Sequence, residues 1–123
     1  PEPEWTHWDA AAAATHGIER ELLFRHGRAS AEVVHMLNEK LRGLTVLCDG
    51  WAHDFVWLAL LFDAGRRVPL FRLDDMRSVL SPAQAAAWHE TKHAVIAEGG
   101  LMRHRASSDA RILQATLMRL STG

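Results

Sequence analysis

The chain has 123 residues, of which 48% are hydrophobic and 24% are charged, a composition typical of one ordinary globular domain. Its formal net charge of −1 excludes a bulk electrostatic attraction to nucleic acid, so any such binding requires a local basic patch or bound metal ions. No apolar run approaches the roughly 20 residues that a membrane span needs, and the single cysteine, Cys48, excludes an internal disulfide framework and favours a reducing, cytoplasmic location.

Three helices are predicted in the first third of the chain from their start and stop signals. Asp9 is a suitable cap for the alanine run 10–14, which ends at His16 and Gly17. A shorter helical segment, residues 18–24, ends before Gly27. Ser30 is predicted to cap a helix over residues 31–42, whose buried side is formed by apolar residues at helical spacing: Val33, Val34, Leu37 and Leu41.

A strand, a helix and a second strand are predicted in the middle of the chain. The apolar run 45–48 has the length of a buried strand, and Asp49-Gly50 forms the turn after it. The helix that begins near His53 carries one inward face, formed by Asp54, Trp57, Leu58 and Leu61, so Trp57 is predicted to lie in the core. Residues 68–73 are predicted as a second strand, with Pro69 near its start.

Two further helices are predicted at the C-terminal end. Ser81-Pro82 is a good helix opening, and that helix runs to Glu98, before the Gly99-Gly100 break. The last helix covers residues 106–120, and its apolar stripe is formed by Ala106, Ala110, Leu113, Leu117 and Leu120. Together these elements predict an α/β fold in a single domain, residues 1–123, with two strands and five or six helices.

Asp54 and Asp109 are the first candidate functional residues. Each lies in the first turn of a predicted helix at the edge of its apolar face, where a carboxylate is unfavourable unless another charge compensates it. His104 lies just upstream of Asp109, and a carboxylate beside an imidazole is suited to binding a cation and activating water. The structural alternative is that the negative charge of Asp109 only interacts favourably with the positive end of the helix dipole, and that Ser107 or Ser108 caps the helix.

Three segments, in family order, resemble the DEDDh 3′–5′ exonucleases, the group that includes the proofreading subunit of bacterial DNA polymerase III and ribonuclease T. Residues 46–58, VLCDGWAHDFVWL, resemble the second motif, in which an aspartate follows a strand and a short turn. Residues 104–110, HRASSDA, resemble the third motif, H-x-A-x-x-D-A. His16-Gly17-Ile18, followed by Glu21-Leu22, resembles the H-G-I element between the first two motifs, so the resemblance spans residues 16 to 113.

The resemblance implies a ribonuclease H-like exonuclease fold that lacks its first strands, and the release of nucleoside monophosphates from a DNA or RNA 3′ end. It implies that Asp54 and Asp109 bind two divalent cations, Mg²⁺ or Mn²⁺, and that His104 is the general base. A homodimer or a polymerase-type partner is also implied. Three residues are candidate contacts with the nucleotide. His16 is one by this resemblance alone, and Trp51 is one because an exposed indole can stack on a base. Arg105, which with Arg103 flanks His104, is suited to a phosphate, and a surface arginine beside a loop is the structural alternative.

The first motif of the family, D-x-E on the opening strand, does not occur in residues 1–123. Glu2-Pro3-Glu4 is no substitute, because no apolar strand precedes it and it lies too close to His16. Half of the metal-binding carboxylates are therefore missing, and we expect this chain to be inactive by itself. The alternative function is a non-catalytic module of the same scaffold that binds nucleic acid or a protein. A strand with D-x-E encoded upstream of Pro1 would favour the exonuclease. A start codon at that place would favour the non-catalytic module.

A rival motif lies on the predicted helix after Ser81. Residues 89–93, HETKH, fit H-E-x-x-H, which on a helix places two histidines on one face to bind zinc, with the glutamate as a base. The longer form of the motif fails, because Ile96 stands where a glycine is required and Gly99 where a third histidine is required. We therefore expect a solvated helix face there and no catalytic zinc.

Overall fold

The computed structural model describes residues 1–100 and 104–122, and within them the fold is mixed α/β, mostly helical, with a two-stranded parallel sheet. The elements in chain order are α1 (Ala10–His16), α2 (Arg20–His26), α3 (Ser30–Leu41), β1 (Thr45–Cys48), α4 (Trp51–Ala64), β2 (Arg72–Asp75), a short 3-10 helix (Met76–Val79), α5 (Pro82–Gly99) and α6 (Ala106–Thr122). The chain divides into two compact units, residues 1–76 and the residues from Arg77 onward. That residues 1–123 form a single domain stays a prediction.

Local capping signals determine the ends of α1 and α5. The side chain of Asp9 accepts hydrogen bonds from the N–H groups of Ala11 and Ala12, and Gly17 ends α1 in a left-handed conformation with φ 68°. At α5 the Ser81 hydroxyl accepts from the Gln84 N–H, while the Gln84 side chain accepts from the Ser81 N–H. The two ends of α1 and the start of α5 were predicted correctly, because each of these caps joins residues at most four apart in the chain.

The predicted cap at Ser30 is wrong. Ser30 is the first residue of α3 and is buried, and Ala29 occupies the cap position without a side-chain hydrogen bond. The physical reason is the close approach of α3 to the end of α4. A Cβ built on Gly65 would collide with Cγ2 of Val34 and would lie 3.1 Å from the Ser30 carbonyl oxygen. A residue larger than glycine at position 65 would therefore push α3 away from the end of α4.

The parallel sheet aligns β1 with β2, from Thr45 opposite Arg72 to Cys48 opposite Asp75, and α4 makes the crossover. β2 therefore lies later in the chain than the predicted strand 68–73, and this is a correction. The reason is the buried side chain of Asn38 on α3. Its Nδ2 donates to the Val68 carbonyl at 3.0 Å and its Oδ1 accepts from the Leu70 N–H at 2.8 Å, so a side chain satisfies the backbone groups there.

The core of the first unit is built on Val34 of α3 and Phe62 of α4, which are 0% and 2% exposed. Phe71, just before β2, meets the Phe62 ring edge-on at 5.7 Å between ring centres. Of the four apolar residues predicted to face inward on α3, only Val34 is buried, and the other three are half-buried. The inward face of α3 includes polar Asn38, one turn after Val34, which hydrophobic periodicity does not identify.

Trp57 was predicted to lie in the core, and this is wrong, since the residue is 64% exposed. The reason is the composition of α4, which is apolar around almost its whole circumference, so the spacing of apolar residues does not define an inward side. Asp54, Leu58 and Leu61 are half-buried, and Phe62 is the buried residue of this helix. Three more apolar side chains of α4 are exposed: Phe55, Val56 and Leu60.

In the second unit α5 packs on α6, with Val95, Ile112 and Thr116 buried. The Thr116 hydroxyl donates to the Ile112 carbonyl at 2.7 Å, so this buried polar group is satisfied within its own helix. The predicted stripe of α6 is partly wrong. Its three leucines are half-buried, but its two alanines, Ala106 and Ala110, are exposed. No helix among the described residues is long and apolar enough to cross a membrane.

Replacing Asn38 with alanine is expected to lower the free energy of unfolding by roughly 2 kcal/mol, because the Val68 carbonyl and the Leu70 N–H lose their partner. Denaturant titration followed by circular dichroism measures the change. Lys40→Ala on the same helix is the matched control, since Lys40 is exposed and should change stability by less than about 0.5 kcal/mol. Equal stability of the two variants would show that the Asn38 bridge does not hold the segment before β2.

Candidate functional site

The candidate site of the first unit lies where the two parallel strands end. The carboxyl ends of parallel strands meet at the same edge of a sheet, so Cys48 and Asp75 lie opposite each other. Asp49 follows Cys48 directly, and Asp54 lies in the first turn of α4, where its N–H donates to the Gly50 carbonyl at 2.9 Å. The Asp54 carboxylate lies close to this turn, since a Cβ built on Gly50 would be 3.4 Å from its Oδ2. One sheet edge therefore carries three aspartates and a thiol.

The pKa of the Cys48 thiol is raised to about 11 at this acidic edge. Partial burial is the largest cause, followed by the negative charge of Asp54 and a hydrogen bond with its carboxylate, and then by the charges of Asp75 and Asp49. The sulfur also lies 3.5 Å from the Asp74 carbonyl oxygen. The thiol is therefore protonated near neutral pH, and this disfavours a nucleophilic role. The same shift shows that Cys48 experiences the charges of all three carboxylates.

Trp51, predicted to contact a nucleotide, is the first residue of α4 and is 39% exposed. Its indole N–H donates to the Leu73 carbonyl of β2 at 3.2 Å. Its ring stacks on Phe55 at 5.0 Å between ring centres and 27° between planes. The ring is therefore held against the sheet edge, with its N–H already used. Contact of Trp51 with a base stays a prediction.

His16, the other predicted nucleotide contact in the first unit, is the last residue of α1 and is half-buried. Its Nδ1 accepts a hydrogen bond from the Ile18 N–H at 2.9 Å, and its ring meets Trp8 edge-on at 6.1 Å between ring centres. An imidazole nitrogen that accepts carries no proton, so the neutral ring has its proton on Nε2. The Nδ1 bond to the residue after Gly17 gives His16 a structural role at the end of α1.

The second unit brings His104 and Asp109 together. The His104 N–H donates to Oδ1 of Asp109 at 3.1 Å, and the Asp109 N–H donates to the Arg105 carbonyl at 2.8 Å. These two hydrogen bonds join the residues before α6 to its first turn. His104 has φ 66°, a left-handed conformation that is uncommon for a residue other than glycine. Asp109 is half-buried, whereas His104 and Arg105 are exposed. The backbone of His104 therefore contacts the Asp109 carboxylate.

The site residues fall into two groups. Asp54 belongs to the first unit, and His104 and Asp109 belong to the second, so the predicted convergence of the two carboxylates on shared cations stays a prediction. Arg103 lies outside the described residues. Asp75 was missed in the sequence because the second strand was placed too early to end there. Within residues 1–100 and 104–122 no group of three or more histidine, cysteine, aspartate and glutamate side chains is arranged to hold a metal ion.

Alkylation of Cys48 by iodoacetamide at pH 8 is expected to be roughly 10²-fold slower than that of an ordinary cysteine, because a thiol with a pKa of about 11 has little thiolate at that pH. Asp54→Asn should lower this pKa and speed the reaction, since it removes a negative charge beside the sulfur. Asp63→Asn, at the exposed far end of α4, is the matched control and should leave the rate unchanged. Equal rates in the two variants would contradict the contact between Asp54 and Cys48.

Comparisons with protein-family models, with curated proteins and with solved structures find no match to this chain. The functional conclusion therefore depends on the motifs and on the geometry described above.

Proposed function

We propose that this chain is the metal-binding part of a 3′–5′ exonuclease of the DEDDh type, with a ribonuclease H-like fold. Asp54 and Asp109 bind divalent cations, and His104 accepts the proton of the water that attacks the 3′-terminal phosphodiester of DNA or RNA. Two such ions, when bound, stabilise the attacking and the leaving oxygen of an in-line displacement. The product is a nucleoside monophosphate.

The observation that supports this proposal most is the parallel β1–α4–β2 unit. It places Asp54 in the first turn after a strand, at the carboxyl end of the sheet, which is where open α/β sheets bind their ligands. Carboxylate oxygens are the ligands that Mg²⁺ and Mn²⁺ prefer, so the donor type fits these cations. The number of carboxylates does not fit, because two carboxylates are too few ligands for two ions. This agrees with the missing D-x-E motif and predicts weak cation binding by this chain.

His104 is suited to the role of general base because its backbone is tied to a proposed metal ligand. The hydrogen bond from its N–H to Oδ1 of Asp109 fixes the loop that carries the imidazole, and the exposed ring remains accessible to water. Arg105, the next residue, is exposed and supplies a positive charge for a phosphate beside this loop. In the first unit Trp51 offers an exposed aromatic face for a base.

The alternative is a non-catalytic module that keeps the scaffold and binds nucleic acid or a protein. The observation that favours it is the same hydrogen bond, since Asp109 has a structural role at the start of α6 whether or not a cation binds. The exposed apolar side chains of α4 also suit a binding surface. The two experiments that follow separate these functions.

The first experiment measures release of nucleoside monophosphates from a 3′-labelled oligonucleotide, with Mg²⁺ or Mn²⁺ and with a chelator. Residues 1–123 alone are expected to show little or no release. A chain extended ahead of Pro1 by a strand with D-x-E is expected to gain metal-dependent activity, because that strand supplies the missing carboxylates. In the extended chain His104→Ala should lower turnover by roughly 10²-fold or more.

His35→Ala is the matched control for the loss of an imidazole, because His35 is an exposed residue of α3 that pairs with Glu39 on the same helix. It should retain full activity in the extended chain. Robust cleavage by residues 1–123 alone would show that the site is misplaced. An extended chain that remains inactive would favour the non-catalytic module.

The second experiment separates the two roles of Asp109. Asp109→Asn keeps an oxygen that accepts from the His104 N–H but removes the charge, so stability should change little while Mn²⁺ binding is lost. Asp109→Ala removes the acceptor too and should lower the free energy of unfolding by about 1 kcal/mol. Mn²⁺ should broaden the amide signals around Asp54 and Asp109 in nuclear magnetic resonance spectra of the unaltered chain. Signals around Asp9, an exposed capping aspartate, should remain sharp.

If Asp109→Asn leaves the Mn²⁺ broadening unchanged, the carboxylate is only structural, and the non-catalytic module is the correct function. Broadening that is equally strong around Asp9 would show binding to any exposed carboxylate and would contradict a specific cation site.

A further inference from the structure

Two histidines lie one turn apart on the solvent side of α5. His89 and His93 are both exposed, and at about 100° per residue they lie roughly 40° apart around the helix axis. The opposite side of α5 carries Val95, the buried residue of this helix, in the second unit. Residues four apart on a helix have Cβ atoms about 6 Å apart, so both imidazoles can reach one ion.

Neither imidazole has a hydrogen bond, ion pair or ring contact to any other residue in the part of the chain that the structure describes. The exposed residues one turn before and one turn after the pair have small side chains: they are Ala85, Ala86 and Ala97. Glu90 is also exposed, three residues before His93, and its negative charge favours a cation nearby. His35 on α3 contrasts with this pair, because its Nε2 lies 3.3 Å from a Glu39 carboxylate oxygen.

We propose that His89 and His93 form a two-imidazole binding site for a divalent transition-metal ion such as Zn²⁺. Each ring contributes one nitrogen at the usual bond length of about 2.0–2.1 Å, and water completes the coordination. Imidazole nitrogens suit zinc, copper and nickel, whereas the oxygen ligands of Asp54 and Asp109 suit magnesium and manganese. The site is therefore independent of the proposed exonuclease function. The described residues offer no third protein ligand there, so the proposal is of a binding site.

The test is titration of the full chain with Zn²⁺, followed by calorimetry and by the imidazole signals in nuclear magnetic resonance spectra. His89→Ala and His93→Ala should each weaken Zn²⁺ binding by roughly 10-fold or more, because the second bond of a chelate forms at a high effective concentration. His35→Ala is the control for the loss of one exposed histidine, and it should leave the affinity unchanged.

Two double variants with the same composition test the spacing itself. H89A/A97H places the introduced imidazole one turn after His93, and it should bind Zn²⁺ about as tightly as the unaltered chain. H93A/A97H leaves the two imidazoles eight residues apart, about 12 Å along the axis, and should bind as weakly as the single variants. Ala97 is exposed, so both replacements are compatible with the folded helix, which circular dichroism checks. Equal affinity of the two double variants, or no loss in either single variant, would overturn the proposal.

Discussion

Backbone hydrogen bonds between β1 and β2 bring Cys48 opposite Asp75 and require α4 to cross between the parallel strands. Two short strands are only marginally stable as an isolated pair, so their pairing needs support from packed helices. That support comes from the contact of α3 with α4, where Val34 meets Gly65, and from the Asn38 side chain, which holds the segment before β2. The acidic edge of the sheet exists because these contacts set the register.

The same register concentrates negative charge. Asp49, Asp54 and Asp75 all raise the pKa of the Cys48 thiol. Asp54 lies at this edge, so the register of the sheet also positions the carboxylate to which the proposed function assigns a cation. In the second unit Asp109 has a further constraint, because its carboxylate already accepts the His104 N–H. A cation there would share a carboxylate that also holds the loop.

The two proposed metal sites differ in ligand chemistry and in the element that carries them. The proposed exonuclease function assigns cations to the carboxylates of Asp54 on α4 and Asp109 on α6, whose oxygens suit hard cations that also bind phosphate oxygens. The site on α5 uses two imidazoles, whose nitrogens favour Zn²⁺ and its neighbours in the transition series. The two proposals are therefore tested with different ions, Mn²⁺ for the carboxylates and Zn²⁺ for the imidazoles.

The sequence by itself determined the features that depend on near neighbours. The bounds of β1, the Asp9 and Gly17 caps of α1 and the Ser81–Gln84 capping box of α5 follow from contacts within a few residues. The return of the His104 backbone to Asp109 is also local, because the two residues are five apart in the chain. Only the tertiary structure decided the position of β2, which depends on a hydrogen-bonding side chain some 30 residues earlier in the chain. The tertiary structure also decided which side of α4 faces inward. A helix that is apolar all round has no periodic pattern of apolar residues in its sequence. Which of its residues is buried therefore depends on the helix and the sheet against which it packs.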